Sequence, residues 1–242
     1  MENHAEIKIK LKDFDIDIEL KPLTLIVGKN PVEKSLLLRH LWASVTDAVF
    51  LPANRTCVAD GFINRPIRLT RSAELLLRDI GIELYVAPSA VYVKTSSGRK
   101  FELAYAPPAI RDIIAVLLAL SSETRFIFIE EPEARLHPSA QRFMARIIAE
   151  AVNGGKFVVL TTHSDYIISE INNIIALSNA PADVKKKLGY RDAEVLKPEA
   201  VVAYLVRAGA VVERLEVDHT GIPEDEFARV AEEILRIRNE LY

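Results

Sequence analysis

The sequence has 242 residues, of which 50% are hydrophobic, and a formal net charge of −3 with a pI near 6.0. This is enough apolar chain to bury a core, and we expect a single domain over residues 1–242. The charge balance excludes an overall basic field that would attract nucleic acid nonspecifically.

Three compositional features predict a cytoplasmic protein that does not enter a membrane. Cys57 is the only cysteine, so no internal disulfide can form and a reducing compartment is expected. The longest purely apolar run, Ile113 to Leu120, is far shorter than the roughly 18 residues of a membrane span. The N-terminal residues alternate charged and apolar side chains, unlike a signal peptide. A single glutamine, Gln141, beside many charged residues is a usage typical of a thermophile protein.

The first predicted elements are two half-buried strands, in which apolar residues alternate with polar ones on either side of Asp13. The next run, LTLIV (residues 23–27), is continuously apolar and predicts a buried strand. It ends at Gly28, and an apolar segment with helical character follows. The sequence therefore predicts a strand, a turn and a helix at this point.

Residues 66–107 change this pattern to a short helix and a hairpin that turns near Ser97 and Gly98, which predicts a small lobe inserted into the core. Later helices are predicted after Pro108, Pro138 and Ser164. Strands are predicted in RFIFI, KFVVLTT, VVAYLVR and AVVERLEV, and a last helix from about Glu224 to the end. The predicted fold class is α/β, with a mainly parallel sheet, an antiparallel part at its N-terminal edge and a small helix-plus-hairpin lobe.

The eight residues GKNPVEKS stand where a phosphate-binding loop would follow the buried strand. They match such a loop at Gly28, Lys34 and Ser35, the positions of the first glycine, the phosphate-binding lysine and the magnesium-binding hydroxyl. Pro31 removes one of the N–H groups that cradle phosphate, and Glu33 places a carboxylate near the phosphate position. Because an isolated match of this quality is more often a structural coincidence, the surrounding motifs have to decide.

Two further motifs stand at the ends of predicted buried strands. Glu130 and Glu131 end the strand of RFIFIEEPEARLHP, where open α/β sheets place ligands and where acids can hold magnesium or activate water. His163 ends the strand of KFVVLTTHSD, where an imidazole can bond a terminal phosphate. The alternative interpretations are an acidic pair at a helix N-terminus and a histidine in a turn or helix cap. A lysine–serine pair, an acidic pair and a histidine that follow three buried strands in this order should occur together by chance far more rarely than any one of them alone.

With these motifs the sequence resembles the ABC-class ATPase heads of the RecF, SMC and overcoming-lysogenization-defect type, which include AAA domains of the AbiEii/OLD group and have a P-loop NTPase-like fold. The resemblance covers most of the chain and implies ATP and Mg²⁺ as cofactors. It also implies residue roles: a Walker A loop with Gly28, Asn30, Lys34 and Ser35, a magnesium site at Ser35 and Glu130, a catalytic glutamate at Glu131 and a switch histidine at His163. The stretches that carry it are TLIVGKN, LPANR, IEEPEARLHP, TTHSD and LEVDHTGIPEDEF.

Two departures from the family pattern weaken the implied activity. The Walker A loop has Pro31 and Glu33 in place of glycines, and AYAPPAIRD (residues 104–112) stands where the family has the Ser and Gly of its signature motif. Arg111 could remain from that motif. Heads of this class hydrolyse ATP only when two of them sandwich it, so the resemblance implies a homodimer or a heterodimer with a related ATPase. A chain defective in both half-sites is expected to be a poor catalyst as a homodimer.

Three functional hypotheses stay open at this point. The first is a regulatory or scaffolding pseudo-ATPase whose phosphate site is filled by the Glu33 carboxylate or closed. The second is an active ATPase that tolerates Glu33. The third is a subunit of a DNA repair or defence complex that acts with a separate nuclease. Nucleic acid phosphates could be contacted by arginines around Phe62, although a solvated surface is the simpler interpretation of them. These arginines are Arg55, Arg65, Arg68 and Arg71.

Overall fold

The structure of the protein is a computed structural model that describes residues 7–11, 16–29, 31–55, 68–87, 90–224 and 235–240. The strands are β1 (Ile7–Leu11), β2 (Ile16–Leu20), β3 (Leu23–Val27), β4 (Ala48–Leu51), β5 (Ile82–Ala87), β6 (Ala90–Thr95), β7 (Lys100–Glu102), β8 (Phe126–Glu130), β9 (Phe157–Thr162), β10 (Val201–Arg207) and β11 (Val211–Leu215). The helices are α1 (Pro31–Ala43), α2 (Arg71–Asp79), α3 (Pro108–Ser121), α4 (Pro138–Asn153), α5 (Asp165–Ala176) and α6 (Ala182–Lys187).

A six-stranded sheet in the order β11-β10-β3-β9-β8-β4 forms the centre of the fold. The five strands from β10 to β4 are parallel, and β11 is antiparallel to β10. The predicted α/β class, with a mainly parallel sheet and an antiparallel edge, is confirmed. The position predicted for that edge is wrong, because the N-terminal strands β1 and β2 pair with each other in a separate two-stranded sheet and the edge is the late strand β11.

The strands β3, β8 and β9 are buried at every position, which explains their continuously apolar sequences. Alternate residues enter two hydrophobic clusters on opposite faces of the sheet. On β3, Leu25 and Val27 pack in the cluster that contains α3, α4 and α5, whereas Ile26 packs with α1 and the N-terminal hairpin. The sheet is therefore covered on both faces, and its strand ends remain as the place for a site.

The predicted lobe contains α2 and a three-stranded antiparallel sheet, β5-β6-β7, rather than a two-stranded hairpin. The predicted turn near Ser97 and Gly98 joins β6 to β7. β5 and β6 pair antiparallel, and residues 88–89 between them lie outside the described part. Apolar side chains of α2 and of this sheet belong to the same cluster as the main sheet. The lobe is thus anchored in the main core.

Buried ion pairs also tie α2 to α4 and to residues 189–194. The fully buried carboxylate of Glu194 accepts hydrogen bonds from Arg146, Arg191 and the Ser72 hydroxyl. The carboxylate of Glu150 accepts one from the Ser72 N–H and pairs with Arg191. We call these five residues the Glu194 network.

None of the helices in the described ranges is both long enough and apolar enough to span a membrane. Residues 235–240 are helical, within the helix predicted from Glu224, and residues 225–234 lie outside the described part.

Candidate functional site

The sheet brings three of the predicted site residues to one edge. β9 lies between β3 and β8, so the residues that follow these parallel strands are neighbours. His163 Nδ1 lies 3.4 Å from Glu131 Oε1, and the ammonium of Lys34 interacts electrostatically with Glu131. The structure therefore brings the lysine, the acid and the histidine close to one another.

The phosphate loop itself is closed around its lysine. Helix α1 already begins at Pro31, so residues 31–33, which the motif assigns to the loop, form its first turn. The Lys34 side chain is 1% exposed, and its ammonium donates a hydrogen bond to the carbonyl of Gly28. Burial lowers the pKa of Lys34, and the charges of Glu131 and Glu133 oppose this shift. Ser35 is half-buried at the next helical position, and Asn30 lies outside the described residues.

Glu33 does not occupy the position predicted for it near the phosphate. Its Oε1 accepts hydrogen bonds from the N–H groups of Gly209 (3.0 Å) and Ala210 (3.2 Å), in the turn between β10 and β11. Both turn residues have positive φ, at 82° and 59°, which lets consecutive N–H groups converge on one anion. The hypothesis that Glu33 fills the phosphate site is therefore wrong. Its carboxylate fastens α1 to this turn.

Replacing Glu33 by alanine is expected to lower the free energy of unfolding by about 1–3 kcal/mol, because two N–H donors lose a charged acceptor. Glu33→Gln keeps an acceptor oxygen and should lose less. Chemical denaturation would measure both, with Glu199→Ala as an exposed control. An equal stability of Glu33→Ala and the unaltered chain would contradict this role.

Glu130, predicted as the magnesium-linked acid, has both carboxylate oxygens engaged by the chain. Oε2 accepts the N–H of Ala53 at 2.9 Å, and Oε1 accepts Arg39 Nε at 3.3 Å. The Glu130 side chain is 5% exposed, whereas that of Arg39 is 57% exposed, so the pair lies at the boundary between the core and water. Arg39, on α1, therefore supplies the positive charge that the resemblance assigns to a metal ion.

Glu131, predicted as the catalytic glutamate, is held mainly through its backbone. Its φ is 46°, its N–H donates to the carbonyl of Thr161, and its own carbonyl accepts Arg55 Nη2 at 2.8 Å. Arg55 Nη1 also donates to the carbonyl of Glu130 at 2.7 Å. Arg55 is 7% exposed, and its guanidinium donates its hydrogen bonds to carbonyls inside the protein. The interpretation of this arginine as a nucleic acid contact is therefore wrong.

The other residues of that interpretation are mostly outside the site. Arg68 and Arg71 are exposed, and Arg71 pairs with Glu74. Arg65 and Phe62 lie outside the described residues.

Glu133 was missed by the sequence reasoning. Its Oε1 accepts the Thr162 hydroxyl (2.7 Å) and the N–H of His163 (3.0 Å), and its Oε2 is buried without a hydrogen-bond partner among the described residues. Burial raises the pKa of Glu133, and these hydrogen bonds oppose the shift. The sequence EEPE contains a third acid close to the predicted pair, and this could have indicated that Glu133 belongs to the candidate site. Glu133 fixes the backbone at the end of β9, while the His163 ring stays 59% exposed.

The segment in place of the signature motif leads directly into α3. Residues 103–105 form a short 3-10 turn, and Pro108 starts the helix. Asp112, buried in the first turns of α3, pairs with Arg135 of the loop that follows Glu131. Arg111 is exposed, and its assignment as a remnant of the motif stays a prediction.

The residues present do not fit MgATP in this conformation. The first turn of α1 takes up residues 31–33, the lysine ammonium is bound to the Gly28 carbonyl, and Arg39 pairs with Glu130. Within the described ranges, no three His, Cys, Asp or Glu side chains form a cluster suited to a metal ion. A triphosphate would require the start of α1 to unwind and Lys34 to turn outward.

A family model for the AAA ATPase domain matches residues 113–168, which contain most of α3, then β8, α4, β9 and the histidine that follows β9. The energy-coupling factor transporter ATP-binding protein EcfA1 of Thermotoga maritima is 30% identical over 70 residues, which are 29% of this chain and 27% of the relative. The chain thus matches about a quarter of the length of that curated relative.

Solved structures with similar folds include the SMC head domain from Thermotoga maritima. The similarity has a TM-score of 0.46 at 12% sequence identity, and it covers 87% of this chain and 97% of the SMC head domain. An SMC head bound to the C-terminal winged-helix domain of ScpA has a TM-score of 0.49 at 9% identity, with 83% and 91% covered. The fold assignment rests on the strand order of the sheet rather than on similarities of this size.

The family match over residues 113–168 makes this part of the chain similar to AAA ATPase domains, and the same part holds Glu131 and His163 at the strand ends of the sheet. The predicted resemblance to ABC-class ATPase heads is confirmed at that level.

Proposed function

We propose that this chain is an ATPase-type head whose own phosphate loop does not bind MgATP, and that it works as a regulatory or scaffolding subunit. The observation that carries this proposal is the closed loop, in which α1 begins at Pro31 and Lys34 donates to the Gly28 carbonyl. A helical first turn cannot present the same converging N–H groups as a phosphate loop, and Pro31 has no N–H to present.

The charges of the site support the same conclusion. Three acids converge at the strand ends, and three cations of the chain lie against them. The positive charge of Lys34 interacts with the carboxylates of Glu131 and Glu133. Arg39 pairs with Glu130, and Arg55 donates hydrogen bonds to the carbonyls of Glu130 and Glu131. A site that is already neutralised from within gains less from Mg²⁺ than one that holds uncompensated carboxylates.

Calorimetric titration with MgATP tests the proposal. The unaltered chain is expected to show no binding, whereas a Pro31→Gly/Glu33→Gly double variant, which restores both glycines, should gain it. Glu33→Gly alone is the matched control and should not gain binding, because the Glu33 carboxylate lies on the turn at Gly209 rather than in the loop. Binding of MgATP by the unaltered chain at micromolar concentrations would overturn the proposal.

The second candidate is an active ATPase that uses ATP and Mg²⁺. The approach of His163 to Glu131, at 3.4 Å, favours it, because an acid and a histidine at adjoining strand ends can position water and a phosphate oxygen. It requires a partner or the nucleotide to open the loop. Hydrolysis that is abolished by Glu131→Gln but survives Glu33→Gly would support it.

The proposed partner is a second copy of this chain or a related ATPase head, as the resemblance implies. Two exposed tyrosines, Tyr105 before α3 and Tyr166 after His163, lie in segments that a paired head of this class would face. Light scattering of the chain alone, and mixed with a candidate head, tests this pairing. Action within a DNA repair or defence complex beside a separate nuclease is a further possibility that the residues of the site do not favour.

A further inference from the structure

The outer face of the lobe sheet carries two aromatic rings side by side. Tyr85 on β5 and Tyr92 on β6 are directly opposite each other in the register, so their side chains emerge on the same face. The residues that alternate with them, including Ile82, Val91 and Val93, are buried against the core. Tyr85 is 42% exposed. The aromatic face is therefore open to water, and on the opposite face Val86, near the end of β5, is also 42% exposed.

Basic side chains accompany these rings. Lys100 Nζ, on β7, lies 5.2 Å from the ring centre of Tyr85 and 5.1 Å from that of Tyr92. Lys94 is opposite Lys100 in the register, and Arg99 is exposed in the turn between their strands. We call the surface of Tyr85, Tyr92, Lys94 and Lys100 the tyrosine face.

Acidic groups on the same face only partly balance these cations. Glu83 pairs with Lys94 at 2.9 Å and accepts a hydrogen bond from the Tyr85 hydroxyl. The negative charge of Glu83 therefore compensates Lys94 rather than Lys100. Glu102 is opposite Tyr92. Among the contacts of the described residues, Lys100 has the two rings and no carboxylate. Lys100 and Arg99 are thus left to attract an anion.

A sheet face that offers adjacent aromatic rings with a lysine ammonium over them has the chemistry that single-stranded nucleic acid requires, once that flexible side chain turns from the rings toward a phosphate. Unpaired bases stack on tyrosine rings, and lysine and arginine contact the phosphates between them. A duplex cannot use the rings, because its bases are stacked on one another. We infer that the tyrosine face binds single-stranded nucleic acid, with one base on each ring. The inference does not depend on nucleotide binding at the phosphate loop.

Fluorescence anisotropy with labelled oligonucleotides of about ten nucleotides, a typical site size for single-strand binding, tests this inference. The full chain would be titrated at about 50 mM and about 200 mM salt against single-stranded DNA, single-stranded RNA and a DNA duplex. Single strands are expected to bind more tightly than the duplex. The DNA and RNA titrations then identify which single strand the surface prefers.

Variants separate stacking from charge. Tyr85→Ala and Tyr92→Ala are each expected to weaken single-strand binding about fivefold or more, whereas Tyr85→Phe keeps the ring and should bind normally. Lys100→Ala should weaken binding and reduce the slope of log affinity against log salt by about 0.7, the value of one phosphate contact. Lys186→Ala, at an exposed lysine of α6, is the control and should leave both unchanged.

Three results would overturn the inference: no binding to any single strand at the lower salt, equal binding of the duplex, or affinity that survives both tyrosine replacements. Circular dichroism of each variant would show that the chain is folded. A failure of this test leaves the proposed closed phosphate loop untouched, and MgATP binding by the unaltered chain would leave the tyrosine face untouched.

Discussion

Replacing Glu194 by alanine is expected to lower the free energy of unfolding by about 3–5 kcal/mol, the usual effect of removing one partner from a buried ion pair. Glu194 is fully buried, and its loss leaves Arg146, Arg191 and the Ser72 hydroxyl without their shared acceptor. Denaturation by guanidinium would measure the change. Glu74→Ala, which breaks the exposed pair with Arg71, is the matched control and should cost no more than about 1 kcal/mol.

The same carboxylate should make the stability of the protein depend on acid. Burial alone would raise the pKa of Glu194, but hydrogen bonds from Arg146, Ser72 and Arg191 lower it from 4.5 to about 2. Because the folded state binds the proton less well than the unfolded state, the contribution is complete above pH 4.5 and is lost as the pH falls toward 2. It amounts to about 3 kcal/mol.

A Glu194→Gln variant checks this pH dependence. The difference in unfolding free energy between this variant and the unaltered chain should be largest near neutral pH and should shrink as the pH falls below 4.5. A difference that stays constant down to pH 2 would contradict the low pKa of Glu194 in the folded protein.

Replacing Gly28 by alanine is expected to destabilise the fold by more than about 4 kcal/mol or to prevent folding, as steric conflict at a buried backbone position can. Gly28 has a φ of 139°, and a Cβ there would lie 2.3 Å from the carbonyl oxygen of Val206 on β10. Thermal unfolding and the yield of folded protein would measure the effect.

Gly98 provides the control for that experiment. It also has a positive φ, 82°, but no atom in the described part of the chain lies within 4 Å of a Cβ added to it. Gly98→Ala should therefore show only the backbone strain, about 1 kcal/mol. If Gly28→Ala were no more harmful than Gly98→Ala, close packing against β10 would not explain the glycine. The expected result would mean that Gly28 is required by the sheet whether or not phosphate binds.

Much of the central fold could be predicted because β3, β8 and β9 are continuously apolar, whereas the short strand β4, Ala48–Leu51, was not predicted. The same periodicity could not place the antiparallel edge, since the pairing of β1 with β2 leaves the sheet edge to β11, nearly 200 positions later in the chain. The third strand of the lobe is only three residues long, Lys100–Glu102, and is too short for alternation to identify.

The sequence indicated part of the candidate site, but it indicated neither Glu133 nor the conformation of the loop before α1. Lys34, Glu131 and His163 follow buried strands, which places them at one edge. Pro31 removes an N–H group from the loop, but proline is also favoured at the first position of a helix. It could therefore have indicated the early start of α1. The partner of Glu33, Gly209, is 176 positions away, so no local pattern could reveal it.

The Glu194 network is expected to slow the unfolding of the protein. Ser72 and Glu194 are separated by 122 positions, so their contact can form only after the intervening chain has been arranged. We expect a contact that closes so long a loop to form after the folding transition state, and such contacts slow unfolding more than they speed folding. The lobe and the segment near Glu194 should stay joined through brief thermal excursions, so that the network prolongs the lifetime of the native chain beyond its contribution to equilibrium stability.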